Sequence, residues 1–127
     1  MFKTVLFPID PSPESREAAD LVVELVKFHQ SRLVLLSVVQ PDGEYDEAVV
    51  AELLAGVQAM FADRGIEAET LTREGKASFT ICDVADEINA DVIVMGCRGT
   101  GLAADGATES TSHRTIELSP CPVLVVP

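Results

Sequence analysis

The stretch that decides the fold is Asp91-Val-Ile-Val-Met-Gly96, an apolar run of strand-forming residues that stops at a glycine. It is followed by Cys97-Arg-Gly-Thr-Gly101 and a polar, glycine-containing segment, and the chain closes on Pro120-Cys-Pro-Val-Leu-Val-Val-Pro127. This order predicts a buried strand, a glycine loop, a helix and a last strand. Such a loop lets backbone approach a ligand, and the N–H groups of the next helix attract anions. The loop is either a phosphate site or only a turn, and its local features favour neither.

Strand-like and helix-like patterns alternate along the rest of the chain. The predicted strands lie at Lys3–Ile9, Arg32–Val39, Ile66–Arg73, Asp91–Met95 and Pro122–Val126. The predicted helices lie at Pro13–His29, Tyr45–Asp63, around Ile81–Ile88 and at 108–118. Ser12 is expected to cap the first helix and Gly65 to end the second. Alternation of this kind predicts βαβ units and a parallel sheet covered on both faces.

Two of these elements carry more detailed expectations. The second helix is expected to bury an apolar stripe, made of Val49, Leu53, Leu54, Val57, Met60 and Phe61. The third strand is expected to face inward at alternate residues, namely Ile66, Ala68 and Thr70. Because Glu67 and Glu69 alternate with these residues, the strand is expected to be half exposed to solvent and to lie at an edge of the sheet.

Composition narrows the function classes. The chain has 127 residues, the size of one domain, and a net charge of −12, which disfavours binding to nucleic acid. No apolar run reaches the length of a membrane span, and the first residues lack the pattern of a signal peptide. The three cysteines are scattered, which favours reduced thiols. These features predict a cytoplasmic protein that does not enter a membrane.

Candidate ligand residues follow two of the predicted strands. Ligands of parallel sheets bind beyond the carboxyl ends of the strands, where the winding direction reverses. Pro8-Ile9-Asp10 and the segment from Met95 to Gly101 both end strands in this way, so they are expected to line one crevice. The Asp10 carboxylate either accepts hydrogen bonds from a ribose or adenine group, holds Mg²⁺, or is a solvated loop residue.

Other kinds of site fit the sequence poorly. A phosphoacceptor domain needs paired acids after its first strand, whereas Asp10 stands alone there. A P-loop needs Ser or Thr at the position of Ala77. His29 and His113 have no nearby partner with metal-ligand spacing and are expected to be solvated. Cys97 has no evident base beside it and is expected to be inert.

Taken together, the chain resembles the universal stress protein family over nearly its whole length. The resemblance rests on four stretches: Val5-Leu-Phe-Pro-Ile-Asp-Pro-Ser12, Leu35-Leu-Ser-Val-Val39, Ile81–Gly96 and Ser119-Pro-Cys-Pro-Val-Leu-Val-Val126. It implies a single universal stress protein domain over residues 1–127. The implied fold is α/β and adenine nucleotide alpha hydrolase-like, with a doubly wound five-stranded parallel sheet ordered 3-2-1-4-5. It also implies a homodimer that pairs through the fifth strand, at Val123 and Val125.

The resemblance further implies an adenine nucleotide as cofactor (ATP, ADP or AMP), with or without Mg²⁺. The residues that it assigns to the nucleotide site are Pro8, Ile9, Asp10, Val38, Met95, Gly96, Arg98, Gly99, Glu109, Ser110, Thr111 and Ser112. By this resemblance, Pro8, Asp10 and Val38 would meet the adenosine, with Met95 and Gly96 beside them. Gly99, Ser110, Thr111 and Ser112 would hold the phosphates. The ATP-binding branch carries the motif G-x2-G-x9-G-[ST], which Gly96, Gly99 and Ser110 match.

Glu109 replaces the third glycine of that motif. Its carboxylate would lie near a helix start that a phosphate would use. Two like charges about 4 Å apart repel by about 1 kcal/mol in water and by about 4 kcal/mol at an effective dielectric of 20. Arg98 offers a compensating positive charge.

Three functions are therefore open. The first is a regulatory or stress-response dimer that binds an adenine nucleotide. The second is a dimer that has lost nucleotide binding and acts through protein partners. The third is a slow ATPase or an autophosphorylating enzyme, for which the sequence offers no arranged general base and nucleophile.

Overall fold

The computed structural model describes residues 2–9, 13–39, 47–96 and 111–127. In these residues strands and helices alternate in the order β1 (Thr4–Pro8), α1 (Pro13–His29), β2 (Arg32–Val39), α2 (Glu47–Asp63), β3 (Ala68–Glu74), α3 (Ala77–Glu87), β4 (Val92–Gly96), α4 (Thr111–Leu118) and β5 (Val123–Val126). The predicted alternation is confirmed. The third helix begins earlier than its apolar spacing indicated, at Ala77, since its first turn carries small and exposed residues.

The strands form one sheet in the order β3-β2-β1-β4-β5, and every neighbouring pair is parallel. The predicted order 3-2-1-4-5 is confirmed. The chain adds β2 and β3 on one side of β1 and then returns to add β4 and β5 on the other side. The winding direction therefore reverses between β1 and β4.

The sheet is buried on both faces. One face packs under α1 and α2 and buries alternate strand residues, namely Val5, Phe7, Leu33, Leu35, Val92 and Val94. The opposite face packs under α3 and buries the intervening ones, namely Leu6, Val34, Leu36, Ile93 and Met95. The rings of Phe7 and Phe61 meet edge to face at 6.3 Å, which ties α2 to the first of these cores. On the second face α4 lies beside α3, where the Cys82 thiol is 3.8 Å from the carbonyl oxygen of Thr115.

The apolar stripe of α2 differs from the prediction at one end. Val49 is exposed, and its neighbour Val50 is buried instead. Val50 and Leu54 are one turn apart and both enter the core, whereas Val49 lies about 100° around the helix from Val50. The other predicted members of the stripe pack against the core.

Gly65 ends α2, as its sequence position predicted. The N–H of Ile66 donates to the carbonyl of Phe61 at 2.9 Å, and that of Gly65 donates to Ala62 at 3.0 Å. Gly65 has a φ of +82°, which is the left-handed conformation that this double hydrogen bond requires.

The edge strand β3 is shorter than predicted, because Ile66 belongs to this helix end. The edge position itself is confirmed. Thr70 is exposed, which corrects its inward assignment, while Ala68 is buried as expected. The carbonyl of Ala68 accepts a hydrogen bond from Nε2 of Gln58 on α2 at 2.7 Å. Arg32 of β2 holds Glu69 through two hydrogen bonds, at 2.5 and 2.9 Å, so that charged side chains cover this edge.

Candidate functional site

The ends of β1 and β4 lie side by side at the point where the winding reverses. Val5 pairs with Val92 and Leu6 with Ile93, and Pro8–Ile9 and Met95–Gly96 follow these pairs at the ends of the two strands. On the other side of β1, Pro8 pairs with Leu36, and the N–H of Ile9 donates to the carbonyl of Leu36 at 2.8 Å. The carboxyl ends of β4, β1 and β2 therefore form one continuous edge, where the predicted crevice would lie.

The side chains along this edge divide into two kinds. Ile9 is only 6% exposed and belongs to the core under α1 and α2, whereas Met95 is 3% exposed and belongs to the core under α3. Because these exposures are those of the whole residues, Ile9 and Met95 serve mainly as packing residues beneath the edge. Pro8, Val38 and Gly96 are half-buried, and Gly96 has no side chain. The edge thus offers a small apolar surface and one half-buried glycine.

The start of α4 belongs to the same side of the molecule. Leu118 ends this helix just before β5 begins at the amino edge of the sheet, so α4 runs back from the carboxyl side. Its first N–H groups, from Thr111 onward, therefore point toward the edge where β4 ends. A helix start in that position attracts anions such as phosphate.

The structure places five of the residues predicted to bind nucleotide at the carboxyl ends of the neighbouring strands β1, β2 and β4, namely Pro8, Ile9, Val38, Met95 and Gly96. Thr111 and Ser112 lie at the start of α4, where the description is limited to the backbone. The remaining predicted residues lie outside the described part of the chain: Asp10, Arg98, Gly99, Glu109 and Ser110. The same holds for the predicted cap Ser12 and for Cys97.

Two further residues lie near this edge: Ser37, which was not singled out from the sequence, and Gly75, where the sequence predicts a turn. Ser37 is a buried hydroxyl, one residue beyond the Pro8–Leu36 pair and so next to Ile9. The sequence feature that could have identified Ser37 is a polar residue inside the apolar run of β2. Gly75 follows β3 with a φ of +148°, and its N–H donates to the carbonyl of Val39 at 3.0 Å. A side chain at Gly75 would begin 2.6 Å from the Thr80 hydroxyl, so this tight turn needs glycine.

The described cysteines are not activated. Burial raises the pKa of the Cys82 thiol above its ordinary value, and the nearby Asp83 adds to the effect. Burial likewise raises the pKa of Cys121, and the hydroxyl of Ser119 opposes that rise in part. Both thiols are therefore protonated at neutral pH, which is the unreactive form.

Within residues 2–9, 13–39, 47–96 and 111–127, no group of three His, Cys, Asp or Glu side chains is placed to hold a metal ion. In that part of the chain no helix has both the length and the apolar character needed to cross a membrane.

Comparison with known proteins places this fold in a family. The sequence profile described as the universal stress protein family matches residues 1–127. Universal stress protein Sll1654 of Synechocystis sp. is 60% identical, and the match covers 100% of this chain and 87% of that protein.

Solved structures share the same architecture. A universal stress protein in complex with cAMP superposes with a TM-score of 0.82 at 22% identity, covering 99% of this chain and 97% of the other. The universal stress protein from Archaeoglobus fulgidus in complex with dAMP gives 0.81 at 17% identity, covering 99% and 98%. At these identities the likeness shows the fold, which is the adenine nucleotide alpha hydrolase-like fold.

Proposed function

Because the chain belongs to the universal stress protein family, we propose that it binds an adenine nucleotide across the carboxyl ends of β1 and β4 and acts as a regulatory or stress-response protein. The observation that carries the proposal is that β1 and β4 lie side by side, paired at Val5–Val92 and Leu6–Ile93, at the point where the winding reverses. Doubly wound parallel sheets bind their ligands in this place.

The described residues fit such a ligand. Gly96 lets the backbone approach closely, and half-buried Val38 and Pro8 offer apolar surface to an adenine ring. The start of α4 offers N–H groups to a phosphate. The resemblance adds Asp10 for the ribose, and Arg98, Gly99, Ser110, Thr111 and Ser112 for the phosphates.

The two solved complexes indicate which nucleotides to test, but they do not assign a ligand to this chain. They contain cAMP and dAMP, but their identities of 22% and 17% carry only the fold to this chain. Adenine nucleotides are therefore the ligands to test first, and the site residues have to be tested on the chain itself.

The first experiment is a calorimetric titration of the protein with AMP, ADP, ATP and cAMP. We expect the wild type to bind at least one of them and Gly96→Val to weaken that binding at least about tenfold, because a branched side chain would fill the space where backbone meets ligand. Gly56→Val is the matched control, since Gly56 lies on α2 with nothing within 4 Å of an added Cβ. It should bind like the wild type.

Circular dichroism of each variant shows whether the fold is kept. If the folded wild type binds none of the four nucleotides, the proposal is wrong. The chain would then act through protein partners without a nucleotide. Equal binding by folded Gly96→Val would place the ligand elsewhere.

A second experiment addresses Glu109. If its carboxylate obstructs the phosphate side, Glu109→Gly should strengthen ATP binding by at least about fivefold, which corresponds to about 1 kcal/mol of relieved repulsion. AMP, which has fewer phosphates to place beside Glu109, should gain less. An equal gain for both nucleotides, or no gain for ATP, would contradict the electrostatic explanation.

The proposal includes a homodimer that pairs through β5. This strand lies at the edge of the sheet, carries no charged residue and leaves Leu124 38% exposed. Exposed Ile116 and Leu118 of α4 add apolar surface on the element before β5. An uncharged, exposed edge of this kind favours pairing with another strand.

A further inference from the structure

A cluster of aromatic side chains lies at the amino edge of the sheet, away from the nucleotide edge. It consists of Phe2, Phe28 and His29, which we call the aromatic corner. The ring of His29 meets that of Phe2 at 5.2 Å and that of Phe28 at 4.9 Å, both edge to face. Phe28 is 83% exposed, more than the other large hydrophobic side chains found exposed in the described chain, such as Phe79 at 47%.

The aromatic corner is held in a fixed shape. The carbonyl of Phe2 accepts a hydrogen bond from the Ser31 hydroxyl, and the N–H of Arg32 donates to the carbonyl of Lys3 at 2.7 Å. Phe2 also packs against the core under α1 and α2. Phe28 therefore stands on a rigid base, so that little conformational freedom would be lost on binding a partner.

Positive charge accompanies the aromatic rings. Lys27 precedes Phe28, and Lys3 follows Phe2; both side chains are exposed. Neither takes part in the ion pairs found between described residues, whereas Arg32 nearby is engaged with Glu69. Glu24, one turn earlier on α1, is the nearest acid on that helix. The opposing charges at this edge are Glu24 and Asp91, whose carboxylate accepts a hydrogen bond from the N–H of Thr4 at 2.8 Å. In a chain of net charge −12, the two lysines make the aromatic corner less acidic than the surface as a whole.

Position separates this surface from the proposed nucleotide site. The aromatic corner is formed by the last turn of α1 and by Phe2 before β1, whereas the nucleotide would bind beyond the other end of β1. A strand of five residues spans about 17 Å. The aromatic corner is therefore separate from the proposed nucleotide site.

We propose that the aromatic corner is a docking surface for an acidic segment of a partner protein that places an apolar side chain against Phe28. Aromatic residues on a rigid base are frequent anchors of protein interfaces. The lysines select an acidic partner, because the rest of this strongly acidic surface repels one and leaves the corner as the favourable place to bind. The inference does not depend on nucleotide binding.

The experiment uses the full chain as bait for a displayed library of random peptides. Pools selected on the wild type are counter-selected on Phe28→Ala, and the enriched peptides are synthesised and titrated. We expect them to combine several Asp or Glu residues with an aromatic or long aliphatic residue. Phe28→Ala should weaken their binding at least about tenfold, and Lys27→Glu should weaken it as well. Added salt should weaken binding to the wild type, because part of the attraction is electrostatic.

Phe79→Ala is the matched control, since Phe79 is the other exposed phenylalanine and lies on α3. It should leave the affinity within about twofold of the wild type. Peptides that are neutral or basic, or that bind Phe28→Ala as well as the wild type, overturn the proposal.

Two further measurements distinguish other occupants. Co-sedimentation with phosphatidylserine vesicles that is lost in Phe28→Ala, without any acidic peptide enriched, would assign the corner to a membrane surface and overturn the proposal. A fall in sedimentation mass for Phe28→Ala would assign it to a second copy of the chain, with the same consequence. A wild-type mass and no vesicle binding agree with the proposed partner when acidic peptides are enriched.

Discussion

At the scale of single residues, packing decides which atoms are left for a ligand. Ile9 and Met95 were predicted to contact the nucleotide. In the structure their side chains belong to the two cores on opposite faces of the sheet. A sequence pattern identifies the end of a strand but does not distinguish the backbone from the side chain as the contact. Ser37 illustrates the reverse case, since a single hydroxyl inside an apolar run marks a buried polar site that periodicity alone passes over.

The buried thiol of Cys82 leads to a prediction about how the free energy of unfolding depends on pH. Its folded pKa lies above its ordinary value of 9.0, so the unfolded chain loses this proton first as the pH rises. The free energy of unfolding should therefore be unaffected by this group below pH 9 and should decrease above it. In Cys82→Ala that decrease should be smaller, as measured by urea unfolding between about pH 8 and 10.

Val84→Ala serves as the control for this measurement. Val84 is buried on the same helix, so the substitution should lower the unfolding free energy by about 2 kcal/mol at every pH without changing its slope. An unchanged alkaline slope in Cys82→Ala would show that other groups cause it.

At the scale of elements, helix ends show what the sequence predicts and what it does not. Gly65 was predicted to end α2 because glycine adopts the left-handed conformation without strain. Gln30 and Asn89 take the same conformation beyond α1 and α3, with φ of 54° and 55°. Nothing in the sequence marks Gln30 in this way. Its conformation accompanies the hydrogen bond from the N–H of Ser31 to the carbonyl of Val26, which forms only when the helix end folds. The first residues of α3 were missed for a related reason, since Lys76 makes no side-chain cap there.

Gly56 inside α2 and Gly65 just beyond its end should respond to the same substitution with opposite signs. Gly65→Ala should lower the free energy of unfolding by about 1 kcal/mol, because alanine resists a φ of +82°. Gly56→Ala should raise it by about 0.5–1 kcal/mol, because Gly56 lies inside the helix with open space around it. Urea unfolding of the two variants measures both. A gain for Gly65→Ala would contradict the strain that is inferred at this helix end.

At the scale of the whole molecule, the fold was predictable because the strand patterns, the helix patterns and the short connections all indicate the same arrangement. Apolar strands buried on both faces require helices on both faces, and short connections leave few ways to arrange them. The strand order itself came from the resemblance, and the structure confirms it. The candidate site was predictable only as far as the strand ends, since the arrangement of a phosphate loop depends on contacts that no periodic pattern encodes.

The dimer is the prediction that belongs to this scale. Val123 and Val125 were the expected contact residues, but both are half-buried and Val123 packs against the core under α3. Leu124 is the more informative position, because its side chain is exposed. Leu124→Asp should convert a dimer to a monomer in sedimentation velocity while the fold is kept. Thr70→Asp, an exposed change on the opposite edge strand β3, should leave the mass of the wild type.

A monomeric Thr70→Asp would assign the interface to β3 instead. A dimeric Leu124→Asp that folds normally would count against pairing through β5.

The hydrogen bond from Gln58 to the carbonyl of Ala68 has a consequence for how many copies can assemble. Because of this bond, the Ala68 carbonyl on the edge strand β3 already has a partner within the chain. The charged side chains of Arg32 and Glu69 lie beside it. If copies of the chain pair through β5, we expect them to join once, because the charged β3 edge resists the addition of another strand. The expected product is a closed pair rather than a fibre that grows from both edges.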